Sequence, residues 1–151
     1  MTAYYDLDKV GQKVVMVGSG LTACEVALHL ASTGRDVTVL CRRDMMAYET
    51  FGYYRNTLLE HMDARGIHQM LSTKTVSIAK DGVTVEKDGV VSVVPADTVI
   101  YSTGIRPNSD AVEAVKALAG EIPVKVIGDA LKSGKMGDAV RGGYMAVMEI
   151  V

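Results

Sequence analysis

The fold is decided by the stretch Lys13-Val-Val-Met-Val-Gly-Ser-Gly-Leu-Thr-Ala-Cys-Glu25. Its first five residues are an apolar, β-branched run that stops at a glycine, which predicts a buried parallel strand. From Leu21 to Thr33 the apolar residues recur at intervals of three and four, the period of an amphipathic helix, and Gly34 is a suitable end for it. The stretch therefore predicts a strand, a tight turn and a helix.

The residues that follow extend this unit into a parallel sheet. Asp36 to Cys41 returns to strand composition, which completes a right-handed βαβ unit if both strands share a sheet. Thr50 to Arg65 carries apolar residues at helical spacing, and Gly66 separates it from a short strand, Ile67 to Leu71. We expect this strand to be the third of the parallel sheet.

Beyond Thr75 the spacing of the apolar residues changes to every second position, the period of a β-strand. Three short runs, 76–78, 83–85 and 90–94, are separated by Asp-Gly pairs, a strong signal for tight hairpins, and predict a three-stranded antiparallel meander. The remaining expected elements are a strand at 97–101, a helix at 108–118 capped by Asn108 or Ser109, a strand at 124–127 and a closing helix at 137–151. The fold class is thus α/β: a Rossmann-like, three-layer domain with a parallel sheet and a meander, followed by a smaller segment.

Composition narrows the classes of function. The 151 residues carry a formal net charge of −2, so there is no basic field to attract nucleic acid or an anionic membrane. No apolar stretch approaches the roughly 20 residues that span a bilayer, and the N-terminus lacks the order of a signal peptide. The two cysteines and three histidines have no metal-ligand spacing. We expect a cytoplasmic protein with neither a metal, nor a nucleic-acid partner, nor a membrane partner.

The turn at Gly18-Ser19-Gly20 has the context of a dinucleotide fingerprint, since it follows a strand and opens a helix. Gly18 permits the turn, Gly20 allows a pyrophosphate to approach the backbone, and Ala23 allows close packing of helix on strand. The helix N-terminus adds free N–H groups and positive partial charge. The alternative interpretation is a tight βα turn that binds nothing.

The end of the second predicted strand discriminates among nucleotides. NAD-binding proteins normally place an acid there for the ribose 2′-hydroxyl, but this chain has Cys41 followed by Arg42 and Arg43. Arginine recognises phosphate bidentately, so the pattern favours NADPH and its 2′-phosphate. The alternative is a solvated loop with two exposed arginines, and Asp44 adds an opposing charge.

These motifs together resemble the pyridine-nucleotide disulfide-oxidoreductase-like flavoproteins. More narrowly, the chain resembles the C-terminal part of the NADH:flavin oxidoreductases of the 2,4-dienoyl-CoA reductase and 2-enoate reductase type. The segments that carry the resemblance are the fingerprint from Gly18 to Glu25, then 102–108 (Ser-Thr-Gly-Ile-Arg-Pro-Asn), 126–130 (Val-Ile-Gly-Asp-Ala) and 139–144 (Ala-Val-Arg-Gly-Gly-Tyr). Close members more often have a glutamate at the position of Cys41, which keeps NADH open as the alternative cofactor.

The resemblance implies a division of the chain into an NAD(P)-binding domain, 1–104, and a C-terminal part of an FAD-binding domain, 105–151. It implies that Thr103-Gly104 is the crossover, that Gly128-Asp129 contacts a flavin, and that the last helix, from near Asp138, points its N-terminus at the flavin ring. The expected cofactor-binding residues are Gly18, Ser19, Gly20, Leu21, Thr22, Ala23, Glu25, Arg42, Arg43, Thr103, Gly104, Gly128 and Asp129.

The same resemblance implies that part of the flavoprotein is missing from this sequence. The family holds FAD at a second glycine-rich fingerprint, and its dienoyl-CoA reductase relatives add an FMN barrel and iron–sulfur cysteines, none of which occur in this sequence. We expect a fragment that binds FAD only within a longer parent, whose FAD and FMN domains are its partners, and that has no catalytic residue of its own.

Three functions remain open at this point. The first is a nucleotide domain of a flavin-dependent oxidoreductase that positions NADPH for hydride transfer to FAD. The second is a non-catalytic nucleotide-binding or interaction module. The third, methyl transfer from S-adenosylmethionine, shares the glycine-rich turn but also usually needs an acid after the second strand, where this chain has Cys41.

Overall fold

The computed structural model describes residues 6–150, and the chain divides into two compact units between Thr103 and Gly104. The first unit contains β1 (Lys13–Val17), α1 (Leu21–Ser32), β2 (Asp36–Leu40), α2 (Gly52–Ala64), β3 (His68–Met70), β4 (Lys74–Ala79), β5 (Gly82–Lys87), β6 (Val90–Pro95) and β7 (Thr98–Tyr101). The second contains α3 (Ser109–Ala119) and α4 (Met136–Ile150). Short 3-10 helices lie at Leu7–Lys9 and Gly128–Ala130.

The first unit is built on a parallel sheet with strand order β3-β2-β1-β7. In β1 successive side chains point to opposite faces. Val14 and Met16 pack against the two helices, in a core that includes Leu30 and Met62. This sheet and its helices confirm the expected βαβ unit and third strand.

The other face of the parallel sheet is covered by the antiparallel sheet β4-β5-β6. Val15 and Leu40 from the parallel sheet form a second cluster with Val83 and Val85 of β5, and all four are fully or almost fully buried. The turn before β6 has positive φ at both Asp88 and Gly89, as the Asp-Gly signal requires. The first unit therefore has three layers, helices, parallel sheet and meander, and the predicted α/β class is confirmed.

The second unit departs from expectation at one element. The strand predicted at 124–127 is wrong: no strand forms there among residues 6–150, although the backbone at Ile127 is extended, with φ −135° and ψ 169°. A strand needs a neighbour to complete its ladder, and the described part of this unit contains no other strand.

The helices of the second unit follow the sequence more closely. The Asn108 side chain accepts a hydrogen bond from the amide of Ala111, as an N-cap should. The last helix was expected to extend to Val151, which lies outside the described residues. None of the described helices is long and apolar enough to cross a membrane.

Candidate functional site

The fold requires a glycine at position 18 for two reasons. Its φ is +111°, a conformation that side chains rarely adopt, and an added Cβ would overlap the carbonyl oxygen of Ser102, just after β7. Its amide donates to the carbonyl of Leu40 at 3.2 Å, while the Ser102 amide donates to Val17 at 2.8 Å. The turn is thus held at the carboxyl ends of β1, β2 and β7, the edge at which open α/β sheets bind ligands.

Gly20 is a glycine for a different reason. Its φ of −69° is available to every residue, and an added Cβ would meet nothing within 4 Å. The fold itself does not require a glycine here. The missing side chain leaves space directly in front of the helix, which fits the close approach of a pyrophosphate to the backbone.

The N-terminus of α1 offers donors to that space. Gly20 is the N-cap and has no side chain to accept from the first turn, and Cys24 makes the first intrahelical bond, to the carbonyl of Gly20 at 3.1 Å. The amides of Leu21, Thr22 and Ala23 therefore have no acceptor within the helix. With the positive end of the helix dipole, these amides form an anion-binding geometry that suits a diphosphate.

Ser19 joins the turn to the loop that follows β2. Its hydroxyl donates to the sulfur of Cys41 at 2.8 Å, and the Cys41 thiol donates to the carbonyl of Met45 at 3.3 Å. The Ser19 carbonyl accepts from the amide of Ala47 at 2.8 Å and from the Cys24 thiol at 3.7 Å. The glycine turn and the 41–47 loop consequently form one hydrogen-bonded assembly.

The two cysteines of this assembly are structural. Both are completely buried, and burial, followed by the neighbouring Cys41, raises the pKa of the Cys24 thiol from 9.0 to about 11. Cys24 is therefore a neutral thiol at physiological pH, without the thiolate that nucleophilic chemistry needs. Cys41 occupies the position at which NAD-binding proteins normally have an acidic residue. Its side chain is buried and contacts the Ser19 hydroxyl.

The two arginines lie on the surface of that loop. Arg42 and Arg43 are exposed, and within residues 6–150 neither forms an ion pair, with Asp44 or with any other carboxylate. The Arg43 guanidinium lies over the ring of Tyr48, with its central carbon 4.2 Å from the ring centroid. Two exposed guanidiniums without an ion pair among residues 6–150, on a loop that is hydrogen-bonded to the glycine turn, are a suitable environment for a phosphate.

Glu25 is already engaged within the protein. Its carboxylate accepts a hydrogen bond from the Tyr54 hydroxyl at 2.9 Å, which ties α1 to α2. The same bond raises the pKa of Tyr54 above its usual value. The role of Glu25 seen here is to link the helices, and cofactor contact by Glu25 stays a prediction.

The remaining expected residues lie at and beyond the division of the chain. Thr103 ends the first unit and Gly104 begins the second, with φ +98°. In the second unit Gly128 has φ +57°, and the Asp129 carboxylate accepts from the amide of Gly134 at 3.2 Å. An open groove of about 540 Å³ in this unit is lined by α3, by residues just before it, by 124–127 and by Asp129 and Ala130. Flavin contacts by these four residues stay a prediction.

Sequence reasoning missed two members of the site. Cys41 attracted notice only as a missing acid, and its sequence position gives no sign that the thiol is a hydrogen-bonding link. Tyr48 had no signal at all, because its contact with Arg43 depends on the path of an irregular loop. The described residues bring no cluster of three or more metal-ligating side chains together.

Comparison with known proteins agrees with this geometry. The family profile described as pyridine nucleotide-disulphide oxidoreductase matches residues 2–128. A ferredoxin–NADP reductase of Ignicoccus hospitalis is 34% identical over 142 residues, which cover 90% of this chain and 43% of that protein. The chain spans between 21% and 43% of the length of the first curated relatives that it matches.

Solved structures show the same fold. The 6-hydroxypseudooxynicotine amine oxidase of Pseudomonas geniculata N1 superposes with a TM-score of 0.81 at 22% identity, covering 95% of this chain and 23% of that one. An engineered water-forming NADPH oxidase bound to NADPH superposes with a TM-score of 0.61 at 22% identity, over 76% and 26% of the two chains. Its parent, a water-forming NADH oxidase of Lactobacillus brevis bound to NADH, gives 0.60 at 19% identity, over 84% and 28%.

The family profile covers more than half of the chain, and the fold and the glycine turn agree with it. The chain belongs to the pyridine nucleotide-disulphide oxidoreductase family.

Proposed function

We propose that the chain binds NADPH at the Gly18-Ser19-Gly20 turn and positions it for hydride transfer to an FAD held largely by other parts of a longer flavoprotein. The observation that carries the proposal is the space at Gly20, where an added Cβ would meet nothing within 4 Å and φ is ordinary, yet the sequence has a glycine. The nicotinamide, when bound, supplies the hydride. The protein supplies the uncapped amides of α1 for the pyrophosphate and the arginine loop for the 2′-phosphate.

The preference for NADPH over NADH is a separate part of the proposal. The engineered NADPH oxidase differs from its NADH-bound parent by five substitutions. They include glycine to alanine, aspartate to alanine eighteen positions later, and alanine to arginine at the next position. This chain has Ala23, then Cys41 at the same spacing, then Arg42. The pattern supports NADPH, with NADH as the alternative.

The longer parent is proposed to be of the 2,4-dienoyl-CoA reductase or 2-enoate reductase type, on the strength of the segments 126–130 and 139–144. Thr103, Gly104, Gly128 and Asp129 are then the contacts that this chain contributes to the flavin. In such a parent, addition of NADPH should bleach the visible absorbance of the flavin. Binding without bleaching would favour the alternative function, a non-catalytic nucleotide-binding module.

A substitution at Gly20 tests the turn itself. An aspartate at the N-cap should preserve or improve helix stability, because it caps the first-turn amides and complements the dipole. The same carboxylate would occupy and repel the pyrophosphate, so Gly20→Asp should weaken NADPH binding by more than about tenfold, or roughly 1.4 kcal/mol. Titration by fluorescence or calorimetry, with thermal unfolding as the control for folding, measures both effects. Unchanged NADPH affinity in a folded Gly20→Asp protein would disprove binding at this turn.

A further inference from the structure

The two arginines of the nucleotide loop are not equivalent. Arg43 stacks on Tyr48 at 4.2 Å, and its backbone carbonyl accepts from the amide of Ser72 at 2.8 Å. Arg42 has no side-chain contact of this kind among the described residues. Within the described part of the chain, the Arg43 guanidinium thus has a contact that can position it before a ligand arrives, and the Arg42 guanidinium has none of this kind.

The backbone just before Tyr48 is hydrogen-bonded to the rest of the domain. The neighbouring Ala47 is fully buried at φ +48° and donates to Ser19 in the glycine turn at 2.8 Å. The carbonyl of Met46 accepts from the Nε of Arg55 at 2.8 Å. Tyr48 itself is 57% exposed, so its ring lies on the surface while its backbone is fixed to the body of the domain.

Stacking is a contact that suits phosphate binding. A ring stacked on a guanidinium occupies one of its faces and leaves unused the N–H edges, which make the bidentate bonds to phosphate. A free arginine loses rotamer freedom when it binds, and a guanidinium already held in place loses less. Within residues 6–150 no carboxylate forms an ion pair with Arg43, so in the described structure these N–H edges are available to a ligand.

We propose that Tyr48 is a positioning residue for cofactor specificity: it holds the Arg43 guanidinium, on the loop that is hydrogen-bonded to the glycine turn, for the 2′-phosphate of NADPH. The inference rests on the proposed function, since it concerns how one of its two arginines is oriented. Tyr48 acts by orienting Arg43 and does not itself contact the phosphate.

The test compares Tyr48→Leu with Tyr48→Phe. Loss of the aromatic face should weaken NADPH binding by about two- to fivefold, the range of an exposed cation–π contact, and leave NADH binding unchanged. Tyr48→Phe keeps the face and should retain the affinity of the unsubstituted chain. Tyr53→Leu is the matched control: this neighbouring tyrosine is 88% exposed and stacks on no arginine among residues 6–150, so its replacement should change neither affinity.

A double substitution separates this inference from the proposed function. In an Arg43→Ala background, Tyr48→Leu should cause no further loss of NADPH affinity. If Arg43→Ala weakens NADPH binding but Tyr48→Leu does not, the positioning role is overturned and the proposed function stands. An equal loss for NADH and NADPH in Tyr48→Leu, or a loss in Tyr48→Phe as large as in Tyr48→Leu, would also overturn the positioning role. If neither arginine affects the preference between cofactors, the proposed 2′-phosphate site itself fails.

Discussion

At the residue scale, two glycines of one turn meet different requirements. Gly18 has a positive φ and lies against the Ser102 carbonyl, so the folded chain cannot accept a side chain there. Gly20 has an ordinary φ and open space in front of it. The fold requires the first glycine but not the second, for which we propose a role in nucleotide binding, and substitutions can separate these two requirements.

Replacing each glycine should therefore have different effects on stability. Gly18→Ala should lower the free energy of unfolding by at least about 2 kcal/mol, because it adds backbone strain and an overlap that the sheet must absorb. Gly20→Ser should leave the free energy of unfolding within about 0.5 kcal/mol, since serine is a favourable N-cap. Urea unfolding of the two variants checks this. Equal destabilisation would show that Gly20, too, is needed for folding.

The buried thiol of Cys24 should make stability depend on pH in the alkaline range. Its folded-state pKa of about 11 exceeds the ordinary value of 9.0, so the folded chain keeps a proton that the unfolded chain releases. The free energy of unfolding should consequently fall as pH rises from about 9 towards 11. Urea unfolding between pH 8 and pH 10 measures the slope, and Cys24→Ala should flatten it. A slope unchanged by Cys24→Ala would assign the pH dependence to other groups.

At the element scale, local patterns and long-range contacts differ in how far sequence predicts them. The strand-turn-helix at Lys13–Ser32 and the meander have signals in neighbouring residues, namely apolar period and turn glycines, and both are confirmed. The strand expected at 124–127 had the same local signal and failed, because pairing depends on a partner strand elsewhere. The same holds for the site. The glycines of the turn could be identified from the sequence, but the contacts of Cys41 and Tyr48 could not, because both depend on the conformation of a loop.

Hydrogen exchange should reveal this difference between elements. The amides of Val14 to Met16 lie in a central strand paired on both sides and should be strongly protected. The amides at 124–127 have no ladder in the described structure and should exchange quickly. Exchange mapped by NMR or mass spectrometry checks both. Strong protection at 124–127 would show that this segment finds a partner strand in solution.

At the scale of the whole molecule, the two units differ in the number of buried residues that each contains. Every buried residue of the described chain lies in the first unit, from Val10 to Val85, and none lies beyond Gly104. The first unit also contains the glycine turn and the arginine loop. Nucleotide binding and cooperative folding should therefore both reside in it.

Truncation tests that division. A chain of residues 1–103 should unfold in one cooperative transition and retain NADPH affinity within about threefold, or roughly 0.7 kcal/mol. Circular dichroism and a nucleotide titration give both results. Loss of the unfolding transition would show that the first unit needs the second for its stability, contrary to the distribution of buried residues.

The most direct test of the central claim is the ratio of NADPH and NADH dissociation constants for the chain and for its Arg42→Ala, Arg43→Ala variant at low ionic strength. Hydrogen bonds to a charged group contribute about 1.5 to 3 kcal/mol, so we expect NADPH to bind at least about tenfold more tightly than NADH. The variant should bind the two cofactors almost equally, with NADH affinity unchanged. Equal affinities in the unsubstituted chain, or a preference that survives loss of both arginines, would contradict the account.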